Sequence, residues 1–164
     1  MSFNQGDHVV HKTFGVGVIE SIEGMIFAGT EPRSFYRVDF AKTTVWVPVD
    51  DPSIGGLRPI TPKSQLARYR ALLKSSPVTL DSDYRKRRIE LEKRKDRGSF
   101  QGLCEVIRDL NALDAEKPLN YSENKFFRQT REALVLEWSE ASGISRSEAM
   151  SEIDGCLFMG RQGL

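Results

Sequence analysis

Residues 55–77, GGLRPITPKSQLARYRALLKSSP, mark the point at which the chain changes its hydrophobic period. Upstream, apolar residues come in short runs rich in Val, Ile, Phe, Tyr and Trp; downstream they recur every three to four positions. Thr61-Pro62 reads as a helix start, with Thr61 as N-cap and Pro62 at the first helical position, where its missing N–H costs nothing. Leu66, Tyr69, Leu72 and Leu73 follow at helical spacing. Ser76-Pro77 ends that helix, because a residue before proline is pushed out of the α region. The reading is an α+β chain: a β unit over residues 1–60, then an all-helical unit of about five helices over 61–157. Residues 158–164, FMGRQGL at the C-terminal end with no usable period, read as a flexible tail.

Working back from the boundary, DHVVHK, a turn at Phe14-Gly15-Val16-Gly17, VIESIEGMIFA, SFYRVDF and TTVWVPV are short runs separated by Gly, Pro, Thr or charged pairs. Several alternate with period two, and Tyr36, Val38 and Phe40 share one strand face. Four or five such strands in about sixty residues favour a small, strongly bent antiparallel sheet or barrel.

Working forward, a basic helix begins at about residue 83 and is broken by Gly98-Ser99. Phe100, Leu103, Cys104, Ile107 and Leu110 form the apolar stripe of a third helix. After a loop at Lys117-Pro118 comes a long helix near 122–142, with Phe127, Leu134, Trp138 and Ala141 on its buried side. Gly143 stops it, and Ser145-Arg146-Ser147-Glu148 has capping-box spacing for a last helix carrying Ala149, Ile153 and Leu157.

With 39% hydrophobic and 29% charged residues the composition is that of a soluble globular protein. No stretch approaches the ~20 apolar residues of a membrane span, and MSFNQGDHVV has no secretory pattern, so a cytoplasmic location is expected. Cys104 and Cys156 are the two cysteines and suggest neither a disulfide framework nor a metal site. The net charge of +1 hides a partition: −2 over residues 1–60, +5 over 61–117 and −2 over 118–164.

Catalytic chemistry finds little support. His8 and His11, three apart on a strand, point to opposite faces and make a poor metal pair. Phe14-Gly15-Val16-Gly17-Val18 lacks the third glycine, the Lys-Ser/Thr and the following helix of a phosphate loop. No Ser/His/Asp or Cys/His set is suggested, so the expectation is a protein without catalytic, cofactor or metal chemistry.

The local basic excess lies in 84-YRKRRIELEKRKDR-97, with eight basic residues against three acidic ones. Lys86–Glu90, Glu90–Arg94 and Arg88–Glu92 are i,i+4 pairs, each contributing only a few tenths of a kcal/mol, and a solvated helix laced with them is one reading. The other is a phosphate-binding surface. Arg85, Lys86, Arg87 and Arg88 crowd the first turn, where they oppose the helix dipole. Tyr84 stands beside them, the combination used to stack on bases while phosphates are held, although a tyrosine also packs readily on a core.

GDHVVHKTFGVGVIESIEG, FYRVDF and VWVPVDDPSIGGLRPI resemble the N-terminal domain of the CarD/CdnL family of bacterial transcription regulators, a domain also found in transcription-repair coupling factors. The helical half is similar too, through Tyr69-Arg70-Ala71-Leu72-Leu73, CEVIRDLNAL, the Leu119 loop and EALVLEW. The resemblance spans residues 3–157 and rests on the order of the two modules. It implies a Tudor-like β barrel that docks on the RNA polymerase β subunit, and a helical module that touches promoter DNA at the upstream edge of the bubble and stabilises the open complex.

In that family a tryptophan at the start of the basic helix is a minor-groove wedge; the matching position here is Tyr84. The implied DNA-binding residues are therefore Tyr84, Arg85, Lys86, Arg87 and Arg88, with Lys93 and Arg97. Family members can present arginine to the polymerase where this chain has Met25 and Trp46, which points to a more apolar docking set: Met25, Phe27, Tyr36 and Trp46. Alternation alone leaves open whether Tyr36 and Trp46 face the core or the solvent. A monomer is expected. The rival readings are a pure protein-interaction adapter on the polymerase without DNA contact, and an RNA- or ribosome-binding protein that uses the same patch.

Overall fold

A computed structural model describes residues 2–162. The chain parts into two compact units between Ile60 and Thr61.

In the first unit, β1 (His8–His11), β2 (Gly15–Met25), β3 (Arg33–Phe40), β4 (Thr44–Pro48) and β5 (Leu57–Pro59) form one antiparallel sheet in the order β4-β3-β2-β1-β5. The turn after β1 closes on Gly15 at φ +77°, a left-handed position that a side chain disfavours. The pairing of β2 with β3 slips between Ile19 and Ser21, a bulge that sharpens the twist. Phe3, Val9, Ile19, Tyr36, Val38, Val47 and Leu57 make the core. The barrel expected from sequence is not closed: β4 and β5 lie at opposite ends of the sheet and are not paired with each other. With only three residues, ending in a proline that has no N–H to offer, β5 is a poor closing strand. β2 also ends at Met25, so Phe27 belongs to the following loop.

The second unit begins with a 3₁₀ turn over Lys63–Gln65. It continues with α1 (Leu66–Lys74), α2 (Tyr84–Asp96), α3 (Phe100–Glu116), α4 (Tyr121–Ser142) and α5 (Arg146–Gln162). The helix ends follow local chemistry. Ser99 and Asn120 cap α3 and α4 with their side-chain oxygens, Ser145 accepts from the Glu148 N–H ahead of α5, and Gly143 ends α4 in the left-handed region. Thr61 is not the expected cap. Its N–H and hydroxyl both donate to the buried Glu137 carboxylate, at 3.1 and 2.7 Å, and Pro62 stays extended. Nor is the stretch after residue 157 a tail through Gln162: it continues α5, and Gly160 is buried where its backbone passes close to the Leu73 and Lys74 carbonyls. The end of the expected tail, 163–164, lies outside the described residues.

Most of the helical core is one cluster from α1, α3, α4 and α5 around Trp138. α2 takes no part in it. Its one buried residue, Leu91, joins a smaller cluster with Val106, Leu110 and Phe126. On α4 Phe126 is thus a core residue that the spacing did not single out, while Phe127 and Ala141 are only partly buried.

His11 gives the β unit a pH dependence. It is buried, and its Nδ1 accepts from the backbone N–H groups of Thr13 (3.0 Å) and Phe14 (3.4 Å), so a proton there would face two donors. Burial is the main cause holding its pKa below the usual value. The unfolded chain therefore takes up the proton first, at about pH 6.5. Stability is complete above that value and declines as the pH falls below it. In an NMR titration the His11 ring should show a midpoint below ~6.5, with the urea midpoint of the β unit falling between about pH 7 and 5.5. A midpoint at or above 6.5 would mean that Nδ1 does not accept those bonds.

Candidate nucleic-acid interface

α2 and its C-cap residue Arg97 carry the eight cations of the basic stretch, and the structure divides them equally. At about 100° per residue, Arg87, Arg88, Leu91, Arg94 and Lys95 share the side turned toward α3 and α4. Each of these cations is engaged. Arg87 grips both oxygens of Glu123, at 2.9 and 3.0 Å. Arg88 binds Glu92 at 2.7 Å, donates to the Ser122 carbonyl, and lies 4.4 Å from the Phe126 ring centroid. Arg94 joins Glu90 and the buried Asp109, both at 2.6 Å. The Lys95 ammonium lies 5.2 Å from the same Phe126 ring centroid, and burial holds its pKa below the usual value.

The remaining four, Arg85, Lys86, Lys93 and Arg97, are exposed, and their side chains make no hydrogen bond or ion pair among the described residues. Lys86, Lys93 and Arg97 fall within about 40° of one another, with Arg85 about 100° to one side of Lys86. These are the groups available to a polyanion. Of the three i,i+4 pairs read from sequence, Arg88–Glu92 and Glu90–Arg94 form.

The structure changes two parts of the sequence reading here. Arg87 is not free to hold phosphate, since its guanidinium is engaged by Glu123 and by the Asp81 carbonyl. Hydrogen bonding to Glu123 holds its proton more firmly than usual. Nor are the first N–H groups of α2 open to an anion: the Asp83 carboxylate accepts from Arg85 and Lys86 at 2.9 and 3.2 Å. Asp83 is also what reconciles the basic first turn with the helix dipole.

Tyr84 is 36% exposed and does not pack on the helical core. It lines a cleft of about 420 Å³ with Arg87, Leu113, Pro118, Leu119 and Glu123, and its ring lies 5.8 Å from the Arg87 guanidinium. About 160° around the helix from Lys86, it shares the first turn with Arg85 and Lys86 but not the face of Lys86, Lys93 and Arg97. Two further exposed cations stand on α4, Lys125 and Arg128, with no side-chain partner among the described residues. Sequence reading passed over them because the surrounding segment is acidic on balance, although three-residue spacing on a helix places them together.

In the β unit the candidate docking residues separate. Tyr36 is 1% exposed, and its hydroxyl accepts the Phe3 N–H at 3.0 Å, so it is core and not a docking residue. Trp46, beside Arg37 in the register, stands on the opposite sheet face, 43% exposed, and donates its indole N–H to Glu23 at 2.8 Å. Met25 pairs with Arg33 on that same outer face, and Phe27 packs edge-on to Phe35 there. Trp46 lies on β4, an edge strand with backbone groups open to a partner.

Residues 3–61 match the family model of the CarD-like/TRCF RID domain, and residues 69–154 match that of the CarD C-terminal domain. The chain belongs to the CarD-like family of transcription regulators. It is 30% identical over 152 residues to a protein of Bacillus subtilis (strain 168) named "Putative transcription factor YdeB", an alignment covering 91% of this chain and 98% of that relative. The first match ends at the boundary between the units and the second lies within the helical unit, so each unit corresponds to one domain of the CarD family. No helix among the described residues is long and apolar enough to cross a membrane.

Proposed function

We propose that this CarD-like regulator bridges RNA polymerase and promoter DNA without catalysing a reaction, acting as a cytoplasmic monomer. The β unit docks on the polymerase β subunit through its outer face, where Trp46, Phe27 and Met25 are the apolar contacts. The helical unit touches DNA at the upstream edge of the bubble and lengthens the life of the open complex. One observation carries the DNA half of this reading: α2 uses four cations for its own attachment, yet Arg85, Lys86, Lys93 and the C-cap Arg97 face solvent without a side-chain partner among the described residues. Such a surface meets phosphates with little regard for sequence, and docking on polymerase supplies the effective concentration it lacks alone. Tyr84 then meets the opened base step, where one base–aromatic contact contributes ~1–3 kcal/mol.

The self-pairing of Arg87 and Arg88 favours a second reading, an adapter that binds polymerase alone. Open-complex lifetime with purified cognate polymerase separates the two, comparing wild type, Tyr84→Ala and Tyr84→Trp. The expected result is a lifetime lengthened by wild type, shortened again by Ala and extended further by Trp. Equal effects of all three would restrict Tyr84 to a structural part, and no effect of any would favour the adapter. Trp46→Ala should abolish polymerase pull-down while leaving DNA binding and folding intact, since the indole is on the outer face and not in the core.

A further inference from the structure

We propose that Glu123 is the positioning residue of the DNA-contacting helix, and that Arg87 serves DNA binding through Glu123 rather than by holding a phosphate; this rests on the DNA contact proposed above. The first turn of α2 presents Tyr84, Arg85 and Lys86, yet the helix's one buried apolar residue, Leu91, lies about two turns further along. A single leucine fixes neither the rotation of a helix nor the place of its first turn. Arg88, Arg94 and Lys95 help to set the rotation, and in the first turn it is the Arg87 guanidinium that bonds both α4 and the entry segment. Its Nε and Nη2 grip the two oxygens of Glu123 on α4, while Nη1 donates to the carbonyls of Asp81 (2.9 Å) and Ser82 (3.4 Å), just ahead of the helix. One planar group thus ties α2, its entry segment and α4 together, and the Tyr84 ring lies beside it.

Phosphate capture by Arg87 is the opposing idea, and burial argues against it. The Glu123 side chain is 6% exposed and that of Arg87 12%. A phosphate that took over Arg87 would leave a carboxylate buried without its partner, a strongly unfavourable arrangement.

The two ideas predict opposite signs. Glu123→Gln removes a negative charge beside the DNA-contacting helix, so plain electrostatics expects tighter binding, whereas loss of positioning weakens it. The experiment is fluorescence anisotropy of a labelled DNA duplex containing an unpaired stretch, over a salt series, with the full chain as wild type, Glu123→Gln, Arg87→Gln and the double variant. Each single change should weaken binding about fivefold to tenfold, with the double no worse than either. The log–log salt slope should match wild type, because the number of phosphates held stays the same. Arg87→Lys, which keeps the charge and loses the fork, should weaken binding too, and it serves as the test if Glu123→Gln melts at the assay temperature.

Tighter binding by Glu123→Gln with a slope steeper by ~0.9 would make Arg87 a phosphate ligand restrained by Glu123, and overturn the proposal. Unchanged affinity would overturn it equally. If wild type itself shows no salt-dependent binding, the DNA reading has failed and the positioning role falls with it. If wild type binds and the variants behave otherwise than expected, only the positioning role fails.

Discussion

Asp109→Ala should cost the helical unit about 3–5 kcal/mol, the usual result of leaving buried charges without their partner. Asp109 on α3 is fully buried, and three donors converge on it: Arg94 at 2.6 Å, the Arg108 Nε at 2.8 Å and the Val78 N–H at 2.9 Å. It therefore holds α2 and the segment leading into it against α3, a task that the few apolar neighbours of α2 cannot take over. Alanine leaves two largely buried guanidinium groups facing an empty space. Arg94→Met removes one of those charges while Arg108 keeps Asp109 occupied, so its cost should be well below that of Asp109→Ala. Urea unfolding followed by helical circular dichroism is the measurement, and the midpoint for Asp109→Ala should drop by more than ~1 M. A loss under about 1 kcal/mol would mean that the network is solvated and that α2 is held by something else.

The larger functional effect is expected from removing the four free cations together. Arg85→Ala, Lys86→Ala, Lys93→Ala and Arg97→Ala in one protein should lower the log–log salt slope of DNA binding by up to ~3.6, or about 0.9 for each phosphate no longer held. Because these side chains make no hydrogen bond or ion pair within the described residues, folding stability should change by less than about 0.5 kcal/mol per site. Binding should weaken to a similar extent on unrelated sequences, since phosphate contacts carry no base information. An unchanged slope would move the DNA contact elsewhere on the protein, with Lys125 and Arg128 on α4 the next group to examine. Weakening confined to one sequence would point instead to base recognition.

Much of the architecture was legible because local chemistry is decisive at element ends. The turn at Gly15, the breaks at Gly98-Ser99 and Gly143 and the serine ahead of Glu148 act over a few residues, and a linear reading sees them whole. Thr61-Pro62 shows the limit of that logic. The pair looked like a helix cap, but a buried carboxylate 76 positions away had a stronger claim on the threonine. Closure of the β unit failed in the same way. Alternation identifies strands, yet whether the edges meet depends on strand length and twist, and the short β5 does not reach β4.

The candidate site divides along the same line. By itself the sequence determined the two-unit order, the family, the presence of a cation-rich helix and the tyrosine at its start, because these are properties of composition and short-range spacing. Only the tertiary structure decided which cations are free. The carboxylates that claim Arg94 and Arg87 lie 15 and 36 residues away, so no local window contains both partners. Only the tertiary structure, likewise, separated Tyr36 from Trp46. Both stand in strands with apolar residues on both faces, so alternation gave two sides without naming the inner one, and cross-strand register placed Tyr36 in the core and Trp46 on the surface. Charge and period are written along the chain, whereas pairing and burial exist only once distant segments have met.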